Sequence, residues 1–264
     1  MNIRLILLSC LLVLFPSARA FAGDMTAGQA GLTVAVAANV QYTFEEIKTV
    51  FEKDTGITIK PVIGSSGKFT AQIENGAPFD VFLSADMEYP QTLEKEGLTY
   101  NTPKVYAYGT LVLWTMADAD LSKGIAVLAD AGIKKIAIAS PQTAPYGRQA
   151  VNALKHYNLY PQVQKKLVYG ESIAQTNQFI ATKAVDAGLT AKSIVLAPNM
   201  KDQGQWAEIE KDAYEPIAQG AVILKRAQDG NLENAQKFFD FLFSAEAGEI
   251  FKKYGYVLPQ ERSL

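Results

Sequence analysis

The chain has 264 residues, a formal net charge of -2 at pH 7 and 48% hydrophobic residues. This length is enough for one large α/β domain or for two smaller lobes with cores of their own. The near-neutral charge gives no electrostatic reason to expect nucleic acid or an anionic membrane surface as a partner. Because only 20% of the residues are charged, we expect a folded globule rather than a disordered chain.

Residues 1–22 are predicted to be a signal peptide rather than part of the fold. Arg4 supplies a basic start and residues 5–15 are apolar. Ala18-Arg19-Ala20 has the small-x-small pattern of a cleavage site, and Ala20-Phe21-Ala22 is a second candidate. The apolar run is too short to cross a bilayer comfortably. Cys10 is the single cysteine and lies inside this segment, so we expect an exported mature chain without disulfides or thiol chemistry.

Hydrophobic periodicity predicts strands and helices that alternate along the rest of the chain. Strands are predicted over residues 32–37, 57–63, 81–84, 133–139, 166–169 and 187–190, and two longer β-rich runs over 106–116 and 214–224. Such alternation gives right-handed βαβ units and mostly parallel sheets. We therefore predict an α/β protein of two lobes joined by two hinge crossings. Lobe I comprises residues 23–107 and 219–264, and lobe II comprises residues 108–218.

The turn at residues 64–67, Gly-Ser-Ser-Gly, lies between a predicted strand and a predicted helix. Glycines let a backbone approach a ligand closely, and the free N–H groups of a helix start bind anions. Ligands of parallel sheets lie at the carboxyl ends of the strands, so Asn39 and Ser66 are expected to face one crevice. An ordinary strand–turn–helix connection with Ser66 as the N-cap accounts for the same turn, and the turn alone leaves both interpretations open.

Enzymatic and metal chemistry find little support in the sequence. A P-loop is excluded because Val62 stands where its first glycine is needed and Phe69 where its Ser or Thr is needed. His156 is the single histidine and no GxSxG motif is present, so a hydrolase lacks a nucleophile–base pair. Without histidine pairs or mature-chain cysteines, zinc and most transition metals are not expected. The sequence therefore predicts a binding protein without a cofactor rather than an enzyme.

Several segments resemble the periplasmic molybdate-binding proteins of ABC importers. They are residues 33–39 (TVAVAAN), 64–67 (GSSG), 72–78 (QIENGAP), 81–86 (VFLSAD), 141–147 (PQTAPYG) and 247–256 (AGEIFKKYGY). The resemblance covers essentially the whole mature chain, and residues 76–86 are its most specific block. It implies a two-lobed type II periplasmic binding protein fold, with mixed, mostly parallel sheets flanked by helices. It also implies a periplasmic monomer that binds molybdate or tungstate between its lobes and delivers it to a membrane permease.

The resemblance also implies which residues contact the anion, and the metal would be held only through its oxygens. Five positions match the family's ligand contacts, the last two through backbone N–H groups: Ala38, Asn39, Ser66, Tyr146 and Ile173. Ser65 is a further candidate, and Thr190 stands where some members have a tyrosine whose hydroxyl adds a contact. Lys68 and Arg148 each lie two residues beyond a matched position, so each either touches the anion or is a solvated side chain at the rim of the cleft.

Neutral donors from helix starts can hold a dianion without a counter-charge. Selection would then depend on cavity size, and a protonated phosphate would need an acceptor that this donor set lacks. Another tetrahedral oxyanion, such as sulfate, phosphate or chromate, is the alternative ligand. A sensor or adhesion module that takes no part in transport is also left open by the sequence.

Overall fold

The computed structural model describes residues 31–261, so the predicted signal peptide at residues 1–22 lies outside the described residues. Within this part of the chain, ten strands form two five-stranded sheets. The strands are β1 (Leu32–Ala37), β2 (Ile59–Gly64), β3 (Val81–Leu83), β4 (Lys104–Gly109), β5 (Leu111–Thr115), β6 (Ile136–Ala139), β7 (Leu167–Gly170), β8 (Ala187–Ala191), β9 (Gln205–Glu208) and β10 (Ile217–Ile223).

Helices cover the faces of both sheets. They are α1 (Gln41–Thr55), α2 (Ser66–Glu74), α3 (Glu88–Lys95), α4 (Pro145–His156), α5 (Tyr160–Val163), α6 (Ile173–Ala181), α7 (Lys192–Val195), α8 (Leu232–Phe241) and α9 (Ala245–Lys253). A short 3-10 turn, Ala38–Val40, links β1 to α1. Among residues 31–261, the helices fall short of the length and apolar character that a membrane span requires.

The two sheets have equivalent topologies. Lobe I has the strand order β2-β1-β3-β10-β4, and lobe II has the order β7-β6-β8-β5-β9. In each sheet one strand, β10 or β5, is antiparallel to both of its neighbours, so the other four strands run in one direction. The predicted two-lobed α/β fold with mixed, mostly parallel sheets is thereby confirmed.

The chain passes between the lobes twice. Only Thr110 separates β4 in the first sheet from β5 in the second, and residues 209–216 separate β9 from β10. The β-rich run at residues 106–116 is therefore two strands that belong to different sheets. The predicted lobe boundaries, after residues 107 and 218, fall within the paired residues of β4 and β10.

Each lobe has its own apolar core. In lobe I, Phe44 and Phe51 are nearly inaccessible and lie two turns apart on one face of α1, the spacing that an amphipathic helix requires. Both rings meet Phe238 of α8 edge to face, with centroids 5.9 and 5.2 Å apart. In lobe II every residue of β5 is buried, including Trp114, because helices cover both faces of that sheet. Two such cores make rigid bodies that can move about the crossings.

Candidate anion-binding site

A small cavity lies where the strand ends of lobe I face the helix starts of lobe II. Seven residues of lobe I and four of lobe II line it: Ala37, Ala38, Asn39, Gly64, Ser65, Ser66, Ala85, Ala144, Pro145, Tyr146 and Ile173. The cavity is too small for a drug-sized organic ligand and suits at most an ion of a few atoms. The lining contains no ionisable carboxylate, ammonium, guanidinium or imidazole group.

The structure brings the five matched positions together at helix starts. Ser66 and Ile173 are the first residues of α2 and α6, Tyr146 is the second residue of α4, and Ala38 opens the 3-10 turn before Asn39. The first N–H groups of a helix have no intrahelical acceptor, so these residues bring backbone donors to the cavity wall. The positive ends of the helix dipoles add to the attraction of an anion.

The hydroxyl groups of Ser65 and Ser66 differ in their hydrogen-bond partners. Ser66 Oγ accepts a hydrogen bond from the N–H of Ala85 at 2.9 Å, which leaves its own proton free to be donated. Ser65 Oγ is buried and has no partner among the described residues, a costly state for a hydroxyl group unless a ligand or water completes its bond. The alternative with Ser66 as N-cap is wrong, because Ser65 occupies that position and makes no side-chain capping bond.

A network of buried polar side chains surrounds Asn39. Its Nδ2 donates to Gln219 Oε1 at 2.7 Å, Tyr106 OH donates to the same oxygen at 2.8 Å, and Gln219 Nε2 donates to Tyr146 OH at 3.4 Å. Tyr256 OH donates to the backbone oxygen of Asn39 at 3.1 Å. Burial raises the pKa of Tyr256 to about 12, so its hydroxyl keeps its proton near neutral pH. Asn39 Oδ1 is buried and has no partner among the described residues.

Gln219 is the member of this network that sequence reasoning missed. It is fully buried in β10, in the otherwise apolar sequence Ile-Ala-Gln-Gly-Ala-Val-Ile. An amide in the middle of a buried strand is unusual, because burying it without hydrogen bonds is costly. That lone polar residue was the signal that could have drawn attention to position 219.

Lys68 does not line the cavity but lies at its rim. Its Nζ is 2.5 Å from Glu171 Oε1 of lobe II, and both side chains are about half exposed. One residue earlier, the N–H of Gly67 donates to Thr143 O of lobe II at 2.9 Å. Lys68 is therefore neutralised by the opposite lobe, and the two lobes are closed against each other at this edge.

Arg148 also lies at the rim and pairs with carboxylates of lobe I. Its guanidinium contacts Asp86, lies 3.1 Å from Glu88 Oε2, and donates to Tyr89 OH at 3.1 Å. Burial raises the pKa of the Asp86 carboxyl, while the Arg148 guanidinium acts in the opposite direction. Like Lys68, this cation joins the lobes rather than lining the cavity.

Thr190 and His156 also lie apart from the cavity lining. The Thr190 hydroxyl is buried and donates to Asn177 Oδ1 within lobe II. His156 ends α4 with its ring 5.0 Å from that of Tyr157. Across residues 31–261, no group of three or more His, Cys, Asp or Glu side chains is placed to hold a metal ion.

Known proteins resemble this chain over nearly all of its described length. The family model for bacterial extracellular solute-binding proteins matches residues 32–257. The chain is 43% identical to the molybdate-binding protein ModA of Azotobacter vinelandii over 230 residues. The matched region covers 87% of this chain and 90% of the relative. It is 40% identical over 226 residues to ModA of Rhodobacter capsulatus, with 84% and 86% covered.

A solved structure shows the same similarity in three dimensions. The periplasmic molybdate-binding protein of Azotobacter vinelandii matches with a TM-score of 0.81 and 36% identity, over 87% of this chain and 100% of that chain. Sequence and structure thus agree over both lobes. The chain belongs to the bacterial extracellular solute-binding proteins and, within them, to the molybdate-binding protein ModA family.

Proposed function

We propose that this protein captures molybdate or tungstate between its lobes and delivers the anion to the membrane permease of an ABC importer. The observation that carries the proposal is a small cavity without charged side chains, walled by helix starts from both lobes. The unpartnered hydroxyl of Ser65 supports it, because a bound oxyanion would complete that group's hydrogen bond. The names of the two relatives support molybdate as the ligand.

Hydrogen bonds alone can supply the affinity. A tetrahedral dianion has four oxygens, each able to accept several hydrogen bonds, and a bond to a charged group contributes about 1.5–3 kcal/mol. About half a dozen such bonds in a closed cleft give sub-micromolar binding after the costs of association are subtracted. Closure of the lobes completes the donor set, so binding and closure are coupled.

Selection among oxyanions follows from the donor set and the size of the cavity. Molybdate and tungstate are nearly the same size, so we expect both to bind. Sulfate is smaller and would stretch the bonds, while hydrogen phosphate carries a proton that needs an acceptor. Sulfate, phosphate or chromate is the alternative ligand if the size or the donor set of the cavity in solution favours it.

Transport fits the site better than catalysis does. The cavity lining has no carboxylate, imidazole or amine that could act as a general acid or base. We propose that the protein makes and breaks no covalent bond and needs no cofactor. On this proposal it acts in the periplasm as a monomer, with the oxyanion and the permease as its partners.

The test is isothermal titration of the ligand-stripped chain, without residues 1–22, at one ionic strength. Molybdate, tungstate, sulfate and phosphate are compared in the same buffer. Tight one-to-one binding of molybdate and tungstate, with no heat from the other two, is the expected result. If sulfate or phosphate binds and molybdate does not, the ligand assignment must be replaced. If none of the four anions gives heat of binding, the proposed function is refuted.

A further inference from the structure

We propose that Gln219 is a positioning residue that steadies the Asn39 amide with its N–H edge towards the bound anion, so that no amide oxygen faces the cavity. The inference rests on the proposed function, because this role requires an oxyanion in the cavity. It goes beyond that function by assigning selectivity to a residue outside the cavity lining.

Fold stability alone does not explain an amide at position 219. Gln219 is fully buried on β10, and the pairing of β10 with β4 shifts register between Gln219 and Gly220. An apolar side chain of similar volume would avoid the cost of burying four hydrogen-bonding positions. The amide is instead engaged with Asn39, which lines the cavity.

The amides of Asn39 and Gln219 form a pair with two hydrogen-bonding orientations. In the first, Asn39 Nδ2 donates to Gln219 Oε1 across 2.7 Å, and Asn39 Oδ1 has no partner among residues 31–261. If both amides turn by 180°, Gln219 Nε2 donates to Asn39 Oδ1 instead. Asn39 Nδ2 then occupies the position of the unpartnered oxygen. The two orientations differ only in where donors and acceptors lie, because amide N and O have nearly the same size.

The surrounding tyrosines fit the second orientation with their oxygen atoms in place. Tyr256 OH, 3.3 Å from Asn39 Nδ2 in the first orientation, would donate to Oδ1 in the second, while Ser193 Oγ keeps its bond to the backbone oxygen of Asn39. Tyr146 OH lies 3.4 Å from the Gln219 amide and can donate to Oε1 there. Tyr106 OH can accept from Gln219 Nε2 while donating to Ser84 O, 3.3 Å away. Gly109 leaves the space for this arrangement, since a Cβ there would lie 1.9 Å from Tyr146 OH and 2.6 Å from Gln219 Nε2.

An oxyanion in the cavity selects between the two orientations. One edge of the Asn39 amide is engaged with Gln219, so we place the other edge at the cavity. An anion accepts hydrogen bonds only, and an amide oxygen turned towards it would repel it. The second orientation gives the anion an N–H donor and leaves no buried amide atom unpaired. In this orientation Asn39 offers no acceptor for the proton of hydrogen phosphate, which disfavours that ion.

Gln219→Glu and Gln219→Met separate this role from simple packing. An ionised glutamate only accepts hydrogen bonds, so it would turn Asn39 Nδ2 towards itself and Asn39 Oδ1 towards the anion. We expect molybdate binding to weaken at least 100-fold at pH 8 in Gln219→Glu. Burial raises the pKa of such a carboxyl, and its protonated form can donate to Asn39 Oδ1. Affinity should therefore recover as the pH falls towards 6.

Gln219→Met keeps the volume but imposes no orientation on Asn39. We expect a loss of several-fold that does not change with pH. Titrations with inorganic phosphate provide a second readout, because Gln219→Glu presents an acceptor to the cavity. The ratio of molybdate to phosphate affinity should fall in Gln219→Glu and stay near the wild-type value in Gln219→Met. Thermal unfolding without anion checks that both variants fold.

Equal losses in the two variants at every pH, with an unchanged anion ratio, would overturn the role of Gln219. A further experiment uses only the wild-type protein and so does not depend on the folding of a variant. In ¹⁵N-labelled protein, the side-chain amide resonances of Asn39 should shift on addition of molybdate. Unshifted Asn39 amide resonances in a protein that binds molybdate would also overturn the inference. Wild-type protein that binds no molybdate would instead refute the proposed function.

Discussion

Lys68 Nζ of lobe I lies 2.5 Å from Glu171 Oε1 of lobe II, so an ion pair joins the first turn of α2 to the residues that precede α6. Both side chains are about half exposed, and such a pair adds little to the stability of a folded protein. Because its two members belong to different lobes, its contribution is specific to the closed arrangement. Its effect should therefore be seen in the rate of opening.

Lys68→Met is expected to release molybdate about two- to fivefold faster, the range for loss of an exposed ion pair. Stopped-flow dissociation measures the rate. Lys48→Met is the matched control, since Lys48 lies 3.9 Å from Glu45 of the same helix. A slower association rate with unchanged dissociation would show that Lys68 attracts the anion instead of holding the lobes together.

Gly67→Ala is expected to weaken molybdate binding at least tenfold by obstructing closure. A Cβ at Gly67 would lie 2.6 Å from Tyr89 OH and 3.0 Å from Thr143 Cα, a backbone atom of the opposite lobe, so the Tyr89 side chain must shift and the lobes must part slightly at this edge. Titration gives the affinity and small-angle scattering gives the compactness of the complex. Gly132→Ala is the control, because a Cβ there meets no atom within 4 Å. Equal affinities in the two variants would contradict the close approach at Gly67.

Ser66→Ala is expected to weaken molybdate binding by roughly 5- to 100-fold, the range for leaving a buried polar group unpaired. The substitution removes a donor to the anion and also the acceptor of the Ala85 N–H. Ser65→Ala removes only the hydroxyl that has no partner among the described residues, so its unfolding temperature without anion should stay closer to wild type. Wild-type affinity in Ser66→Ala would remove Ser66 from the set of donors.

Arg148→Met is expected to make molybdate binding depend on pH through Asp86. Burial already raises the pKa of this carboxyl, and the substitution removes the guanidinium that opposes the shift. Closure then favours the protonated carboxyl, so affinity should fall as the pH rises above the usual range of a carboxyl pKa, with a smaller change in the wild type. Adding Asp86→Asn to Arg148→Met should abolish the dependence. If molybdate affinity still depends on pH in the double variant, another titrating group is responsible for that dependence.

Much of the fold could be predicted because hydrophobic periodicity is local. The first strand was predicted over residues 32–37, and the structure has β1 at Leu32–Ala37. The strand at 205–208 was missed because its residues, Gln-Trp-Ala-Glu, pair only at a sheet edge and stay largely exposed. The run at residues 106–116 was expected to cross from lobe I to lobe II near residue 108, but composition did not reveal that it is two strands, β4 and β5, separated at Thr110.

The approach of Asn39 and Ser66 could be anticipated, because the carboxyl ends of parallel strands face one crevice. Tyr146 and Ile173, which line the same cavity, were expected only from the resemblance to molybdate-binding proteins. The orientation of Arg148 could not, because its partners come from the other lobe and only tertiary structure brings them within reach. Thr190 and Gln219 also have partners that only tertiary structure brings near: Asn177 within lobe II for Thr190, and Asn39 and Tyr106 for Gln219.

The antiparallel strand β10 has a consequence for the order of assembly. It lies between β3 and β4, yet it follows the whole of lobe II in the chain. During synthesis, β1 to β4 therefore emerge first but lack their central neighbour until residue 223 has appeared. The five strands of the second sheet are contiguous between residues 111 and 208 and can pair earlier. The part of the chain that is made first is the last to complete its sheet, and the edge of β3 stays exposed to chaperones in the meantime.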